Sequence, residues 1–252
     1  MIFRPFDPSQ DPPQAERIIE LKSVTKDYRA LRPLRIEHLA LQRGQTVALL
    51  GLDRAAAEVL VNLITATALP DAGTVEIFGA PTLDITDSAA WFRSLERFGI
   101  LSARAVLIDE LTVEQNLALP LSFEIDDMAP DIRTQVGNIA DEVGIPAAER
   151  GRPMGTAGAA TRMRVRLGKA LALNPGILLG EHPNTAVPPD EITRLGRDMA
   201  AIAARRGLAM LVLTADTAFA AAVCNDVLTL NPATGELAPV SRWRSWLTRH
   251  VR

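Results

Sequence analysis

The sequence predicts an α/β fold with a mainly parallel core sheet, and three observations support this fold class. Short apolar runs such as Val47–Leu50 and Ile177–Leu179 contain no polar residue, which is typical of strands buried on both faces. Elsewhere, apolar residues recur at helical spacing, as Ile132, Val136 and Ile139 do. The chain has 252 residues, of which 48% are hydrophobic, and this is enough for one large α/β unit.

The predicted strands follow one another along the chain, and helices alternate with most of them. In chain order the strands are Ile18–Val24, Leu34–Leu41, Thr46–Leu50, Thr74–Phe78, Phe98–Leu101, Ile177–Leu179, Ala209–Leu213 and Val227–Leu230. Residues 1–15 are rich in Pro and Asp and predict an extended arm. Residues 16–240 form the main domain, and residues 241–252 predict a basic terminal helix that contains Trp243 and Trp246.

The segment Val47–Ile64 has the order of strand, turn and helix that a phosphate-binding loop requires. Val47–Leu50 is the expected strand, Gly51 the turn, and the residues from Ala55 onward the helix. The turn and helix nevertheless contain no lysine, serine or threonine, which are the side chains that hold a phosphate and its magnesium ion.

Several other segments share their order and spacing with one protein family. They are VTKDY (Val24–Tyr28), GQTVALLG (Gly44–Gly51), PDAGTVEIFG (Pro70–Gly79), LTVEQNLALPL (Leu111–Leu121), KALALNP (Lys169–Pro175) and ILLGEHP (Ile177–Pro183). From Ile18 to about Leu237 the chain resembles the ATP-binding cassette (ABC) family of nucleotide-binding subunits, especially small stand-alone ones that serve lipid or lipoprotein transporters. The resemblance implies a P-loop NTPase-like ABC ATPase fold with a helical subdomain at about residues 103–165.

The motifs that bind ATP in that family are degenerate in this chain. The phosphate loop keeps Gly51, but Arg54 and Ala56 replace loop glycines, Ala57 replaces the lysine and Glu58 replaces the magnesium-binding hydroxyl. The other replacements are Ala103 for the Q-loop glutamine, Ala157–Thr161 for the signature, Glu181 for the Walker B aspartate, His182 for the catalytic glutamate and Ala215 for the switch histidine. The resemblance to the fold is therefore stronger than the resemblance to the active site.

The residues Ala57 and Glu58 strongly disfavour the binding of ATP. A charge-assisted hydrogen bond contributes about 1.5–3 kcal/mol, so loss of the lysine weakens phosphate binding by about ten- to a hundredfold. A glutamate about 4 Å from a phosphate charge costs on the order of 4 kcal/mol at an effective dielectric constant of about 20. We therefore expect neither ATP nor magnesium as a cofactor.

Asp53 and Tyr28 each allow two interpretations. Asp53 precedes strong helix formers and is a suitable N-cap, so a capped helix start would replace the phosphate loop. In the alternative interpretation, Asp53 and Glu58 are solvated surface residues. Tyr28 stands at the position of the family's adenine platform, but we favour the alternative that it is an aromatic residue packed on a strand edge.

Glu181 and His182 follow a predicted buried strand, at the edge of a parallel sheet where ligands of α/β proteins bind. If the chain is a divergent but active ATPase, Glu181 would hold magnesium and His182 would act as the general base, with ATP and Mg²⁺ as cofactors. In the other interpretation both residues form a polar strand end that is hydrogen-bonded within the fold.

The segment Leu111–Leu121 keeps its apolar and helix-like character, and in the resembled family this surface receives a transmembrane subunit. Leu111, Leu117 and Leu119 are therefore candidate contacts for such a partner, although apolar helical residues also pack inside domains. The second candidate contact is the basic C-terminal segment with Trp243 and Trp246, which could lie on an anionic membrane surface or on its own domain.

Composition restricts the remaining functions. The net charge of −3 gives no sign of nucleic-acid binding, and no apolar stretch approaches the roughly 18 residues that span a bilayer. We expect a cytoplasmic protein, peripheral at the inner face of the membrane, that acts as a catalytically inactive ABC subunit in a transport complex. The partners expected are a transmembrane subunit and either a second copy of the chain or another ABC subunit. The alternative is an active ATP-hydrolysing subunit.

Overall fold

A computed structural model describes residues 16–240 of the chain. The arm predicted at residues 1–15 and the terminal helix predicted at residues 241–252, including Trp243 and Trp246, lie outside the described residues. The strands are β1 (Arg17–Lys26), β2 (Leu34–Gln42), β3 (Thr46–Leu50), β4 (Ala72–Ile77), β5 (Ala80–Pro81), β6 (Phe98–Ser102), β7 (Ile177–Glu181), β8 (Ala209–Leu213), β9 (Asp226–Leu230) and β10 (Leu237–Pro239). Every strand predicted from the sequence is present, whereas the short strands β5 and β10 were not predicted.

The strands form two sheets. The larger sheet has six strands in the order β10-β9-β3-β8-β7-β6, and all its neighbours are parallel except β9 and β10. This arrangement confirms the prediction of a mainly parallel core sheet. The second sheet has four strands in the order β2-β1-β4-β5 and is antiparallel throughout.

Along the chain, most of the helices follow a strand of the larger sheet. They are α1 (Arg54–Ile64), α2 (Ser88–Leu95), α3 (Val113–Ala118), α4 (Pro130–Glu142), α5 (Ala147–Arg150), α6 (Ala159–Leu171), α7 (Pro189–Arg206) and α8 (Thr217–Val223). Helices α3 to α6 follow β6 without an intervening strand, and we call this part of the chain the helical region; its last helix, α6, ends at Leu171.

The larger sheet separates two hydrophobic clusters, because successive side chains of a strand point to opposite faces. Leu178 of β7 and Val212 of β8 pack against the helical region, whereas Leu179 and Leu213 pack towards α1 and the antiparallel sheet. Both faces of the central strands are therefore buried. The carboxyl ends of β3, β7 and β8 lie side by side at one edge of this sheet, and the candidate site lies there.

Glu20 is the most strongly perturbed carboxylate of the antiparallel sheet. Its side chain is only 6% exposed, and it contacts Lys22 at 2.9 Å, His38 at 3.4 Å and Arg17. The hydrogen bond from Lys22, helped by those from His38 and Arg17, lowers the pKa of Glu20 from an ordinary value of 4.5 to about 2. Because the pKa in the folded state is lowered, ionised Glu20 stabilises the fold above the unfolded-state pKa.

The change Glu20→Gln tests this stabilisation. We expect the variant to be less stable than the parent near pH 6, and the difference to shrink as the pH falls from about 4.5 towards about 2, because Glu20 then binds its proton in the parent. Urea unfolding followed by circular dichroism at several pH values measures the difference. The control is Glu37→Gln on β2, since Glu37 forms no ion pair within residues 16–240. A difference that stays constant across this pH range would contradict the prediction.

Candidate functional site

The turn after β3 forms a capped helix start in place of a phosphate-binding loop. Helix α1 begins at Arg54, and Oδ1 of Asp53 accepts a hydrogen bond from the backbone N–H of Ala56 at 2.8 Å. The N–H of Ala57 donates to the Asp53 carbonyl at 2.9 Å. The N-cap prediction for Asp53 is therefore confirmed. An anion nest needs N–H groups that point at the ligand, whereas the protein itself uses these two.

Ala57 and Glu58 point in different directions. Ala57 is fully buried in the cluster between the larger sheet and the antiparallel sheet, so it contributes packing. The side chain of Glu58 is 43% exposed and turns towards the carboxyl edge of the sheet, where it meets Arg104. The degenerate loop thus brings a negative charge, rather than a lysine, to this edge.

Arg104 is the centre of an ion-pair network at the carboxyl edge of the sheet. Its Nη1 lies 2.5 Å from Oε1 of Glu58, and its Nη2 lies 2.5 Å from Oε2 of Glu181. The side chain of Glu181 is only 3% exposed, whereas that of Arg104 is 48% exposed. The hydrogen bond with Glu181 is the largest cause of the raised pKa of Arg104; burial opposes it, and Glu58 adds a smaller effect.

The guanidinium of Arg104 therefore bridges the two positions that the family resemblance assigns to magnesium binding. A buried carboxylate needs a cationic or hydrogen-bonding partner, and Arg104 is that partner for Glu181. Arg104 was not among the site residues predicted from the sequence. The signal that could have found it is a lone arginine directly after Ala103, the degenerate Q-loop position.

His182 has an unusual backbone and little access to solvent. Its φ is 43°, a left-handed conformation that is uncommon for a residue other than glycine. The residue is 9% exposed, and its backbone N–H donates to the Leu213 carbonyl at 2.8 Å. Among the described residues, its Nε2 is buried without a hydrogen-bond partner. A general base must reach the proton that it removes, and this nitrogen does not reach solvent.

The position that the family resemblance assigns to the switch histidine, Ala215, lies directly before the N-cap of a helix. Ala215 is exposed, and the next residue, Asp216, accepts hydrogen bonds from the backbone N–H groups of Ala218 and Phe219 at 2.8 and 3.0 Å. Asp216 is thus the N-cap of α8. Alanine at position 215 has no side chain that could transfer a proton.

Tyr28 lies beside the capped turn. It is half-buried, and it lines a cavity of about 90 Å³ together with Gly51, Asp53 and Ala56. Burial, helped by the negative charge of Asp53, raises the pKa of its hydroxyl. Pockets for small molecules have volumes of about 300–1,000 Å³, and this cavity lies below that range.

The degenerate signature segment Ala157–Thr161 lies at the start of α6 and lines a separate cavity of about 300 Å³. Carboxylates of Glu149 and Glu191 also line this cavity, and Glu149 accepts a hydrogen bond from the Thr161 hydroxyl at 2.7 Å. Arg152 also lines this cavity, so its lining carries charges of both signs.

The prediction that Leu117 contacts a partner is wrong. Leu117 is completely buried, and α3 packs so closely on α6 that an added Cβ on Gly168 would lie 2.5 Å from the Leu117 side chain. Leu111 and Leu119 are half-buried. The most exposed large apolar side chains near this segment are Val106, which is 74% exposed, and Phe123, which is 95% exposed.

Residues 16–240 contain neither a membrane-spanning helix nor a cluster of metal ligands. None of the helices there is long and apolar enough to cross a membrane. Among the same residues there is no group of three or more His, Cys, Asp or Glu side chains arranged to hold a metal ion.

The chain is similar in sequence to ATP-binding proteins of transport systems. The sequence model described as "ABC transporter" matches residues 34–184. The sulfate/thiosulfate import ATP-binding protein CysA 2 of Chromobacterium violaceum is 28% identical over 235 residues, which cover 92% of this chain and 62% of that protein. The methionine import ATP-binding protein MetN 1 of Pseudomonas fluorescens is 26% identical over 220 residues, covering 85% and 64%. The chain thus spans less than two thirds of the length of these curated relatives.

Solved structures show the same fold. The structure of cbiO1 from Clostridium perfringens, described as part of the ABC transporter complex cbiONQ, has a TM-score of 0.75 at 17% identity, covering 88% of this chain and 87% of that one. A dimeric bacterial ABC transporter cassette has a TM-score of 0.73 at 22% identity, covering 89% and 99%. These matches confirm the predicted ABC ATPase fold.

The N-cap makes a prediction about stability. We expect Asp53→Ala to lower the free energy of unfolding by about 1 kcal/mol, because the N–H of Ala56 loses its acceptor. The matched control is Asp53→Asn, since asparagine caps helices about as well as aspartate. Urea unfolding measures both variants. An equal loss in the two would show that the charge of Asp53, and not its capping bond, stabilises the turn.

The ion-pair network leads to a second prediction about stability. We expect Arg104→Gln to lower the free energy of unfolding by about 1–3 kcal/mol, because it leaves the buried carboxylate of Glu181 without its cation. The double change Arg104→Gln with Glu181→Gln should recover part of this loss. The control Glu58→Gln should cost about 0–1 kcal/mol, because that pair is exposed. Purely additive effects of the Arg104 and Glu181 changes would contradict the proposed pairing.

Proposed function

Because the chain belongs to the ABC transporter family, we propose that it is a structural or regulatory subunit of a membrane transport complex and does not hydrolyse ATP. A single observation carries this proposal: the guanidinium of Arg104 bridges Glu58 and Glu181 at the edge of the sheet where the family resemblance expects magnesium. The protein's own cation takes the role of the metal ion.

Binding of magnesium and ATP would require several unfavourable steps. The metal would have to displace Arg104 from the carboxylate of Glu181. Only 3% of the Glu181 side chain is exposed. A phosphate at the loop would then meet Glu58 and no lysine. At a separation of about 4 Å and an effective dielectric constant of about 20, the repulsion costs on the order of 4 kcal/mol.

The geometry of the turn adds to this cost. The N–H groups of Ala56 and Ala57 already donate to the Asp53 side chain and carbonyl, so a phosphate would have to displace Asp53 to use them. The charge of Asp53 lies where the phosphate would lie relative to the positive end of the helix, and two anions cannot share this end.

An active subunit that uses Glu181 and His182 is the weaker candidate. Glu181 is paired with Arg104, and Nε2 of His182 is buried. Neither residue is free to act in the observed conformation. Adenine stacking on Tyr28 alone would add only about 1–3 kcal/mol.

The relatives support a partner in the membrane. CysA 2 and MetN 1 are import ATP-binding proteins, and cbiO1 is part of a transporter complex. We extend this assembly mode to the present chain, with a transmembrane subunit as partner at the inner face of the membrane and lipid or lipoprotein as the proposed class of cargo. The chain could pair with a second copy or with another ABC subunit, as the dimeric cassette does with its copy.

Nucleotide binding tests the proposal directly. Calorimetry and a thermal-shift titration with millimolar ATP and Mg²⁺ should show no saturable binding, whereas a catalytically competent ABC cassette serves as the positive control. Nucleotide at about a hundred times its dissociation constant would stabilise the fold by about 2.7 kcal/mol. Such stabilisation in the parent chain, with release of inorganic phosphate, would establish the active alternative.

A further inference from the structure

A groove at the amino-terminal edge of the larger sheet is rich in arginine. It has a volume of about 470 Å³ and lies beside the residues that precede β6, β7 and β8, at the edge of the sheet opposite the degenerate phosphate loop. Among the described residues that line it, four carry a guanidinium and one a carboxylate: Arg43, Arg93, Arg97, Arg206 and Glu96. We call this space the arginine groove.

Two of these arginines already have carboxylate partners, and two do not. The pairs are Arg43 with Glu16 at 2.7 Å and Arg206 with Glu142 at 2.9 Å. Within residues 16–240, Arg93 and Arg97 form no ion pair, and neither does Glu96. Two arginines against one carboxylate leave the groove with an excess of positive charge. Such a groove attracts an anion, because the like charges that face it repel one another until an opposite charge offsets them.

Arg97 is held in a position from which it can bind an anion. Its Cζ lies over the ring of Phe78, 3.4 Å from the ring centroid. The ring is itself confined, because Phe98 packs edge-on against it at 5.5 Å and an added Cβ on Gly176 would lie only 3.1 Å from it. Stacking uses the face of a guanidinium and leaves the N–H groups of its edge available, and these bind a carboxylate in a bidentate manner. Arg93, in the last turn of α2, adds a second guanidinium to the same groove.

The described part of the chain begins at the rim of the arginine groove. The carbonyl of Glu16 accepts a hydrogen bond from the backbone N–H of Arg43 at 2.9 Å, and the side chains of the two residues pair at 2.7 Å. Because Arg43 lines the groove, the residues before Glu16 are tethered at its rim. An extended chain spans at most about 3.3–3.6 Å per residue, so Asp11, five positions before Glu16, can reach roughly 17 Å from this rim.

Residues 1–15 contain the negative charges that the groove lacks. Asp7 and Asp11 each directly precede a proline, and a residue before proline prefers an extended backbone. An extended segment with two carboxylates suits a groove that offers two guanidinium groups. Residues 241–252 have the opposite character, since they contain four arginines and no acidic residue, so the groove would repel them. Charge and tether therefore both select the N-terminal arm as the occupant.

We propose that residues 1–15 bind in the arginine groove of their own chain, with the carboxylates of Asp7 and Asp11 on Arg93 and Arg97. The short tether gives the arm a high effective concentration at the groove, so ion pairs that are individually weak suffice to keep it bound. The bound arm also covers Leu173, which lines the groove with 52% of its surface exposed. This inference goes beyond the proposed function, because it concerns a contact within the chain and holds whether or not the chain serves transport.

Photo-crosslinking in the purified full chain locates the arm. A photoreactive amino acid replaces Gln10, beside Asp11, and mass spectrometry identifies the residue that it captures. We expect capture within the same chain at residues 92–97 or 173–176, with a yield that does not change on dilution. Capture elsewhere on the chain, or no crosslink within it, overturns the proposal. A crosslink to a second copy that disappears on dilution overturns it as well, because the arm would then bind a neighbouring molecule.

Removal of the groove charges tests the recognition. In the double variant Arg93→Gln with Arg97→Gln, we expect the crosslink yield to fall about threefold or more, because both ion pairs are lost. Salt at about 1 M should lower the yield of the parent in the same way, since exposed ion pairs are screened. The matched control is Arg54→Gln with Arg197→Gln, two exposed arginines that form no ion pair within residues 16–240, and its yield should equal that of the parent. An unchanged yield in the groove variant overturns the proposal.

The arm variant Asp7→Asn with Asp11→Asn repeats the test without a change in residues 16–240. We expect the same loss of crosslink as in the groove variant. The two double variants combined in one chain should lose no more than either alone, because both remove the same contacts. Losses that multiply in the combined variant would show that the two sets of charges act independently, which overturns the proposal.

Inorganic phosphate distinguishes the arm from a free anion as the occupant. Calorimetry of the parent chain with millimolar phosphate should show no saturable binding, because carboxylates of the same chain occupy the guanidinium groups. The arm variant, in which these carboxylates are amides, is the comparison. Saturable phosphate binding to the parent that is lost in the groove variant would assign the arginine groove to a free anion and overturn the proposal.

Discussion

The buried carboxylate of Glu181 at the end of β7 is the constraint on which the arrangement of this site depends. A carboxylate at that depth requires a cation or several donors, and the only arginine directly after β6, Arg104, supplies the cation. To do so, the chain after β6 must turn back over the edge of the sheet, which also brings Arg104 to Glu58 of α1. One guanidinium thus connects β7, α1 and the start of the helical region.

The same edge contains internal partners for its charged and polar groups. Asp53 supplies the anion at the positive end of α1, and Arg104 supplies the cation between two carboxylates. Each contact is made within the chain, and together these contacts pair the charges at this edge of the sheet.

The sequence predicted the parts of this architecture that depend on neighbouring residues. The strand before Gly51, the helix after it and the cap at Asp53 follow from local pattern, and all three are present. Arg104 pairs with a residue 77 positions away, and no local pattern shows such a contact. Leu117 was misassigned for a related reason, since helical spacing identifies an apolar stripe but not the surface that covers it, which here is α6 at Gly168.

Residues 104 to 106 are held from two sides, and this gives the site a mechanical connection to the rest of the molecule. Arg104 attaches the segment to Glu58 and Glu181, whereas Arg166 and Lys169 hold the next two carbonyls against α6. Because the two sets of contacts are made by adjacent peptide units, a shift of this segment against α6 would change the position of Arg104 and its ion pairs with Glu58 and Glu181.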